Sequence, residues 1–590
     1  MPFFRNGVFW VGLASLRDPA LVAETIAGTL GAKDGLVEHI GERDLLLLLD
    51  NIEQVVDAAP ELSSLLQHCS NLRLLVTSRE LLRVQGEVEY PVRPLAGSEA
   101  VELFCARSRV EADETVAELC HRLDNLPLAV ELAAARTSVL SPAQILERLS
   151  QRLDLLRAGR DAAARQQTLR ATVEWSYELL DEPTQRLFAR LSVFVEGCAL
   201  EAAEAVCGAG LETLQSLVDK NLVRHAHERF WMLETIREYA TEQLEQLDEA
   251  AEVRQRHADY FIALAEEAEP HLLEYSGEWL DRLDLEHDNL RAALDWLEAS
   301  GESELVLRLA GALPRFWDER AHLAEGRRRL EGALLADDRP TATRAKALNG
   351  AADMAVSLGD PGTARLRAEE ALSLNRSLGN ELGIAVSEFL LGLAVGDEHD
   401  LTRARTLFEE SARQFRELDV GPYVLVATRM LAWMCYELGD RERGRALHEE
   451  NLRRARTLRN EHVEASTLGA LAMIAVDEGR LPDALSSLRE SHRIHRNLGD
   501  RNGIAKDLCR VARVLASLGR TRTAAKLLAS AEALREELGA TLRPWLADMN
   551  ARTLTTIRAQ LDEPAFAEAW EEGRTLAANE AVELAFESLQ

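Results

Sequence analysis

The sequence predicts a multidomain, mostly α-helical chain that opens with an α/β lobe and closes with an α-solenoid. At 590 residues it is too long for one hydrophobic core, so several domains are expected. Two apolar runs, 45–49 and 72–77, lack polar alternation and end in polar residues, as strands buried on both faces of a parallel sheet do. Glycines at 359, 379, 439, 479, 499, 519 and 539 recur at multiples of 20 residues, the length of one helix and its turn.

Composition sets the outer bounds. Apolar residues make up 47% and charged residues 28%, the balance of a soluble globular chain. No run approaches the roughly 18–20 apolar residues of a membrane helix, and MPFFRNGVFWVGL lacks the basic flank and cleavage site of a signal peptide. A cytoplasmic location is expected. The cysteines at 69, 105, 120, 198, 207, 435 and 509 form no CxxC pair and read as small buried apolar residues. A net charge of −31 argues against general attraction to nucleic acid. Lysines occur only at 33, 220, 346, 506 and 526, an arginine bias that reads as the coding bias of a GC-rich genome.

In chain order, 8–13 reads as a strand, and Asp18-Pro19 starts a helix to about Leu30 with Asp18 as N-cap and Pro19 at N1. The strand 45–49 follows, then a helix at 53–66, the strand 72–77 and a shorter strand at 87–92. In such a sheet, ligands bind at the carboxyl ends of the strands. Asp50 and Asn51 follow the first buried run, and Thr77 and Arg79 close the second. A carboxylate there can hold Mg²⁺ opposite bound phosphates. An arginine one strand over can sense a γ-phosphate by bidentate hydrogen bonding. Asn51 cannot act as a general base and Glu53 is the nearest second carboxylate, so slow hydrolysis or none is expected. The alternative is that Asp50 and Arg79 are polar residues where strands reach solvent. No GxxxxGK[ST] occurs, so the phosphate-cradling loop is expected upstream of Met1 or lost. No HExxH, GxSxG or paired Cys/His motif supports other catalysis.

From Gly97 the pattern turns helical, with Ser98 capping EAVELFCARSR and Asp124-Asn125-Leu126-Pro127-Leu128-Ala129 leading into VELAAART. The order LLLLLDN, VTSRE, PVRPLAGSEAVELF and LDNLPLAVELAAA resembles the STAND signal-transduction ATPases of the NB-ARC-like class. The resemblance implies a partial P-loop-type NTPase lobe that binds ADP or ATP with Mg²⁺ at Asp50, with Asn51, Thr77 and Arg79 nearby and Pro127 packed beside the adenine. It implies re-docking of the following domains on nucleotide exchange, and self-assembly on activation. Read alone, Pro127 is a helix-initiating proline. The resemblance places the first strand of the sheet between the strands at 72 and 87, so its loss is expected to loosen the lobe and leave the solenoid intact.

Residues 168–180, FARLSVF, LQSLVDKNLVR and FWMLETIREYA resemble the helical and winged-helix portion of bacterial AfsR and LuxR-like regulators. Where relatives carry Met-His-Asp, with the His against the ADP β-phosphate, this chain has Met232-Leu233-Glu234. That contact is lost. Glu201, Glu204, Glu212 and Asp219 disfavour base reading by the winged helix, so any DNA contact is expected from an absent or separate domain.

The repeat has a second series: Ala364, Ala404, Gly444, Ala484 and Ala524 are all small and 40 apart, as close helix–helix approach demands. The Leu-Gly-Asp turns resemble tetratricopeptide repeats. The groove of such an array suits a protein or peptide. Arg443, Arg445, Arg453, Arg454 and Arg456 read either as its lining or as a solvated face. His492 and His495 fall one turn apart without an evident third metal ligand. The expected domains are 1–95, the partial NTPase lobe; 96–165, a helical lid; 166–247, winged-helix-like; 248–340, a helical connector; and 341–590, the solenoid. Two readings stand: a nucleotide-dependent STAND-type switch coupled to a repeat sensor in regulation, its nucleotide binding impaired, and a non-nucleotide repeat scaffold.

Overall fold

The computed structural model describes residues 4–584 apart from 15, 17, 33–34, 79–80, 91, 109, 124, 148–169, 171, 274–275, 539–541, 543, 577–579 and 582. They form two compact units, one of residues up to 84 with 265–284 and from 302 onward, the other of 85–264 with 285–301. The fold is mostly helical, and no helix among the described residues is long and apolar enough to cross a membrane.

In the first unit, β1 (Val8–Gly12), β2 (Leu45–Asp50) and β3 (Leu72–Val76) form a parallel sheet in that order. Parallel neighbours need crossovers, which α1 (Leu21–Leu30), α2 (Leu36–Ile40) and α3 (Ala59–His68) supply. The first helix starts at Leu21 rather than Pro19, because Asp18 Oδ1 accepts the Ala20 N–H at 3.0 Å in a turn before it. Leu45, Leu47 and Leu49 are at most 2% exposed, in one cluster with α1 and α3. The opposite face is only half covered. Register aligns Trp10, Leu48 and Leu75 in one row across it, and Trp10 is 59% and Leu75 53% exposed. Burial on both faces, expected for 45–49, is thus corrected to burial on one, because the three crossover helices pack into the same cluster.

From Ala342 the same unit is a train of helices: Ala342–Ser357, Pro361–Leu378, Glu381–Asp397, Leu401–Glu417, Gly421–Glu437, Arg441–Thr457, Glu461–Asp477, Leu481–Asn497, Arg501–Ser517 and Thr521–Leu538. One backbone solution recurs at each turn. The residue two before each new helix adopts a left-handed conformation, filled by Gly359, Gly379, Gly439, Gly479, Gly499 and Gly519. His399, Asp419 and Arg459 hold the same place with φ of 65°, 54° and 55°, so the repeat is more regular than its glycines suggest. Asp360, Asn380, Asp400, Asp440, Asn460 and Asp500 then cap the next helix by accepting the N–H three residues on. Ala364, Ala404, Ala484 and Ala524 are fully buried. At Gly444 a Cβ would stand 2.8 Å from the Ala432 carbonyl oxygen, so backbones touch there.

The second unit begins with α4 (Gly97–Ser108), α5 (Glu114–Arg122) and α6 (Pro127–Ala135) around Phe104, Leu119 and Val130. The helices Glu182–Arg190, Leu200–Cys207 and Leu211–Asp219 follow, with an antiparallel sheet of β4 (Cys198–Ala199), β5 (Arg224–Ala226) and β6 (Arg229–Trp231) in the order β4-β6-β5. This is the topology of a winged helix. Asn289 braces it, accepting the Val195 N–H at 2.8 Å and donating to the Gly197 carbonyl at 3.0 Å. The described residues of 87–92, expected as a strand, form none, and Val88, Tyr90 and Val92 are 86–88% exposed. Alternating apolar residues become a strand only where a ladder partner completes them.

Candidate functional site

The carboxyl ends of β2 and β3 are tied together by Thr77. Its N–H donates to the Leu49 carbonyl at 2.9 Å, its carbonyl accepts the Ile52 N–H at 3.2 Å, and its hydroxyl donates to Asp50 Oδ1 at 2.5 Å while accepting the Asn51 N–H at 2.9 Å. Asn51 turns the chain out of β2 with φ of 65°, a left-handed conformation that Asn tolerates. Its Nδ2 is buried without a hydrogen-bond partner. Asp50, Asn51 and Thr77 therefore converge on one spot at the carboxyl end of the sheet. Arg79 lies outside the described residues.

These residues fit the metal side of a nucleotide site. Asp50 offers a hard carboxylate oxygen for a divalent cation, and the orphaned Asn51 amide is a donor in search of an acceptor. The described part of the lobe has no lysine and no glycine-rich phosphate loop.

Pro127 belongs to the second unit, where it is exposed at N1 of α6 behind the extended Leu126. Asn125, just before, has φ of 52° and a buried Oδ1 without a partner. Glu131 of α6 accepts from Arg107 at 2.9 Å and Arg224 at 3.2 Å, joining α4 and the start of β5. Leu233, in the place of the relatives' His, is the N-cap of Glu234–Glu245, and Glu234 pairs with Arg237 at 2.7 Å. The helix Leu211–Asp219, which a winged helix would place in DNA, carries Glu212 and Asp219 and no Lys or Arg.

In the solenoid, Arg443 pairs with Glu409, Arg445 with Glu478 and Arg456 with Glu464 and Glu490. These arginines brace neighbouring helices. His495 joins a buried polar node, with His492 one turn away. His495 Nδ1 lies 2.8 Å from Asp507, which also accepts from Ser491 at 3.0 Å and from Arg510 at 2.9 Å. His462 Nδ1 lies 3.3 Å from Asp500. A neutral version of this node stands three helix pairs earlier. Asn380 donates to Asn375 at 2.8 Å, Asn375 to Ser387 at 3.1 Å and Ser387 to Asn349 at 2.8 Å. Gly383 and Gly503 make room in matching places: a Cβ at either would fall 2.2–2.4 Å from Asn375 or His495. Two histidines one turn apart drew notice in the sequence. Their partners Asp500 and Asp507 did not, although the 120-residue offset from Asn380 and Ser387 was a usable signal.

Comparison with known proteins follows the same lines. The tetratricopeptide repeat family model matches residues 463–537, the four helices from Glu461 onward. Rv0890c of Mycobacterium tuberculosis, named as a candidate HTH-type transcriptional regulator, is 35% identical over 531 residues, 82% of this chain and 59% of its own length. The uncharacterized protein Rv0894 of the same organism is 39% identical over 287 residues, 43% of this chain and 73% of its own. The regulatory protein AfsR of Streptomyces griseus is 27% identical over 572 residues, 89% of this chain and 50% of its own. The crystal structure of a STAND protein with a tetratricopeptide repeat sensor, PH0952 of Pyrococcus horikoshii, aligns at 14% identity over 97% of this chain and 84% of its own, with a TM-score of 0.49. The chain thus spans about half to three-fifths of the length of the two regulators it matches. It belongs to the same family as Rv0894, and it is similar over most of its length to Rv0890c and AfsR.

Proposed function

We propose that this chain is the switch-and-sensor portion of a transcriptional or signalling regulator, in which an ADP- or ATP-binding lobe is coupled to a solenoid that takes a protein or peptide ligand. The observation that carries the nucleotide half is the Asp50–Thr77 hydrogen bond at the carboxyl ends of adjacent parallel strands. Mg²⁺, when bound with a nucleotide, would neutralise phosphate charge there. Asp50 would hold it directly or through water, Thr77 would keep the carboxylate oriented, and Asn51 would donate to a phosphate oxygen. Arg79 would sense the γ-phosphate and Pro127 would flank the adenine, both on the strength of the family resemblance.

Without a phosphate loop these residues by themselves would hold nucleotide weakly and hydrolyse it slowly. The lobe meets the solenoid side of its unit through Asp18–Arg328 at 3.9 Å and a contact of Glu24 with the Glu325 N–H, beside a cavity of about 710 Å³. DNA contact, which relatives' names suggest, would come from a separate domain, given the acidic helix Leu211–Asp219. Self-assembly on activation and a cytoplasmic location belong to the same reading. The second reading is a repeat scaffold that works without nucleotide.

Equilibrium binding of fluorescent ADP and ATP with Mg²⁺ separates the two. The switch reading expects weak saturable binding that falls about tenfold or more in Asp50→Ala and Arg79→Ala, as loss of a charge-assisted contact does. Binding absent, or indifferent to both changes, leaves the scaffold.

A further inference from the structure

One row of the helix train lacks a side chain at a single place. In steps of 40 residues the row runs Val356, Gly396, Tyr436, Val476 and Ala516. Where it carries Tyr436, the facing residue shrinks to Gly444, at which a Cβ would stand 3.0 Å from the Tyr436 Cβ. Where it carries Gly396, the facing residue is Ala404, and a Cβ at 396 would meet the Ala404 Cβ at 3.5 Å, an ordinary van der Waals contact. The missing side chain is therefore not made good from the other side. Glycine within a helix is destabilising, and no close packing at 396 demands one. Gly392, one turn earlier, differs, since a Cβ there would fall 2.8 Å from Phe408 Cε1.

The space beside Gly396 is a cavity of about 60 Å³, room for roughly four waters or one isobutyl group. Phe408, Met430, Trp433 and Met434 line it and are each at most 8% exposed. Its polar wall includes Glu437 and, from the helix Pro544–Arg558, Asp548 and Arg552. That helix is fixed by its other side: Met549 and Ile557 are buried in one cluster with Leu508, and Asn550 Nδ2 donates to Cys509 Sγ at 3.4 Å. Asp548 and Arg552 lie on its exposed side. Asp397, already engaged, and His399 complete the polar wall. Glu437, Asp548 and Arg552 make no side-chain hydrogen bond or ion pair among the described residues. Two carboxylates against one guanidinium leave one negative charge unmatched beside an apolar hollow.

We propose that the hollow at Gly396 is a ligand site for a small cation that carries a leucine-sized apolar group, the apolar group filling the place of the missing side chain and Glu437 with Asp548 taking the charge. Its walls come from the middle of the helix train and from a helix near the end of the chain, so an occupant ties the two together. A free branched amine and the amino-terminal leucine of a peptide share this chemistry. The site rests on the solenoid being the ligand-taking half of the chain.

Methionine makes the test direct. In the full chain with isotope-labelled methionine methyl groups, the resonances of Met430 and Met434 report on the hollow, and those of Met232 and Met354 serve as controls. The probes are leucinamide; glycinamide, which lacks the apolar group; N-acetyl-leucinamide, which lacks the charge; and the peptide amide Leu-Gly-Gly. At pH 7 leucinamide shifts Met430 and Met434 with a Kd of about 1–10 mM, a range that suits so small a ligand, and leaves the controls unmoved. Glycinamide and N-acetyl-leucinamide bind at least about tenfold more weakly. Gly396→Val, which supplies the residue that two other repeats carry at 356 and 476, keeps the melting temperature and weakens leucinamide about tenfold or more. Glu437→Gln weakens it about twofold to fivefold, as loss of an exposed charge pair does. No shift by leucinamide at about 50 mM, or equal binding to wild type and Gly396→Val, overturns the site. N-acetyl-leucinamide binding as tightly as leucinamide overturns the cation. Either result leaves the solenoid able to take a ligand elsewhere. Leucinamide bound without Leu-Gly-Gly does the reverse: it keeps the site, assigns it to a free amine and removes the peptide ligand. If Gly396→Val melts lower, the four probes on the wild type still decide.

Discussion

The lobe and the solenoid share one unit yet reach closure by different routes. In the lobe, Val8 pairs with Leu46 and Leu45 with Leu72, so each strand finds its neighbour across dozens of residues, and one sheet face ends up half covered. In the solenoid each helix packs on the one 20 residues before it and the one 20 residues after. Loop closure is short and identical each time. A repeat needs one good turn and one small residue to specify its whole length, whereas a sheet is complete only when its distant parts are all present.

The largest effect is expected from crowding the close approach. Gly444→Leu forces a side chain against the Ala432 carbonyl and should destabilise the array by about 3 kcal/mol. Limited proteolysis should then cut the variant within 421–477 faster than it cuts the wild type there. Cleavage unchanged in 421–477 would show that the repeats do not depend on the small-residue series.

A smaller effect sharpens the comparison within the solenoid itself. His448 occupies the slot that Phe408 and Leu488 fill one helix pair to either side, and neither ring nitrogen has a hydrogen-bond partner. His448→Leu should stabilise the chain by about 1–2 kcal/mol at pH 7, because an unsatisfied buried polar group is removed. The sign with pH follows from the depressed pKa. Folded His448 stays neutral down to about pH 3, whereas unfolded His protonates near 6.5. Above pH 6.5 the residue adds no pH dependence. As pH falls from there towards 3, the unfolded state binds the extra proton and the wild type loses up to about 1.4 kcal/mol per pH unit. The variant lacks that share of the slope, and paired urea titrations at pH 7 and pH 5 measure it. Equal slopes in both proteins would mean that the imidazole is hydrated or protonated when folded.

The smallest effect is expected on the open face of the lobe. Leu75 is 53% exposed, so Leu75→Lys should change stability by no more than about 0.5 kcal/mol while reducing binding of an apolar dye. A loss of several kcal/mol would show that this face is covered in solution.

Legibility followed the same divide. The helix train was readable because a fixed small residue and a fixed turn recur in register. Even so, the left-handed turns at His399, Asp419 and Arg459 escaped a search for glycines, since Asn, Asp and even long polar residues can hold that conformation when both flanking helices impose it. In the lobe the strands 45–49 and 72–77 were found by their apolar runs, but 87–92 showed that a strand-like pattern is only an offer of pairing. Asp50 was legible as a carboxylate at a strand end. Its hydrogen bond to Thr77 was not, because residues 27 apart meet only through the sheet register.

By itself the sequence determined the elements, their order and the repeat length, because turn geometry and helix packing depend on residues within about one repeat of each other. Tertiary structure alone decided which face of the sheet is covered, which segment goes without a strand partner, and which charges are matched, because each of these depends on the distance between side chains far apart along the chain.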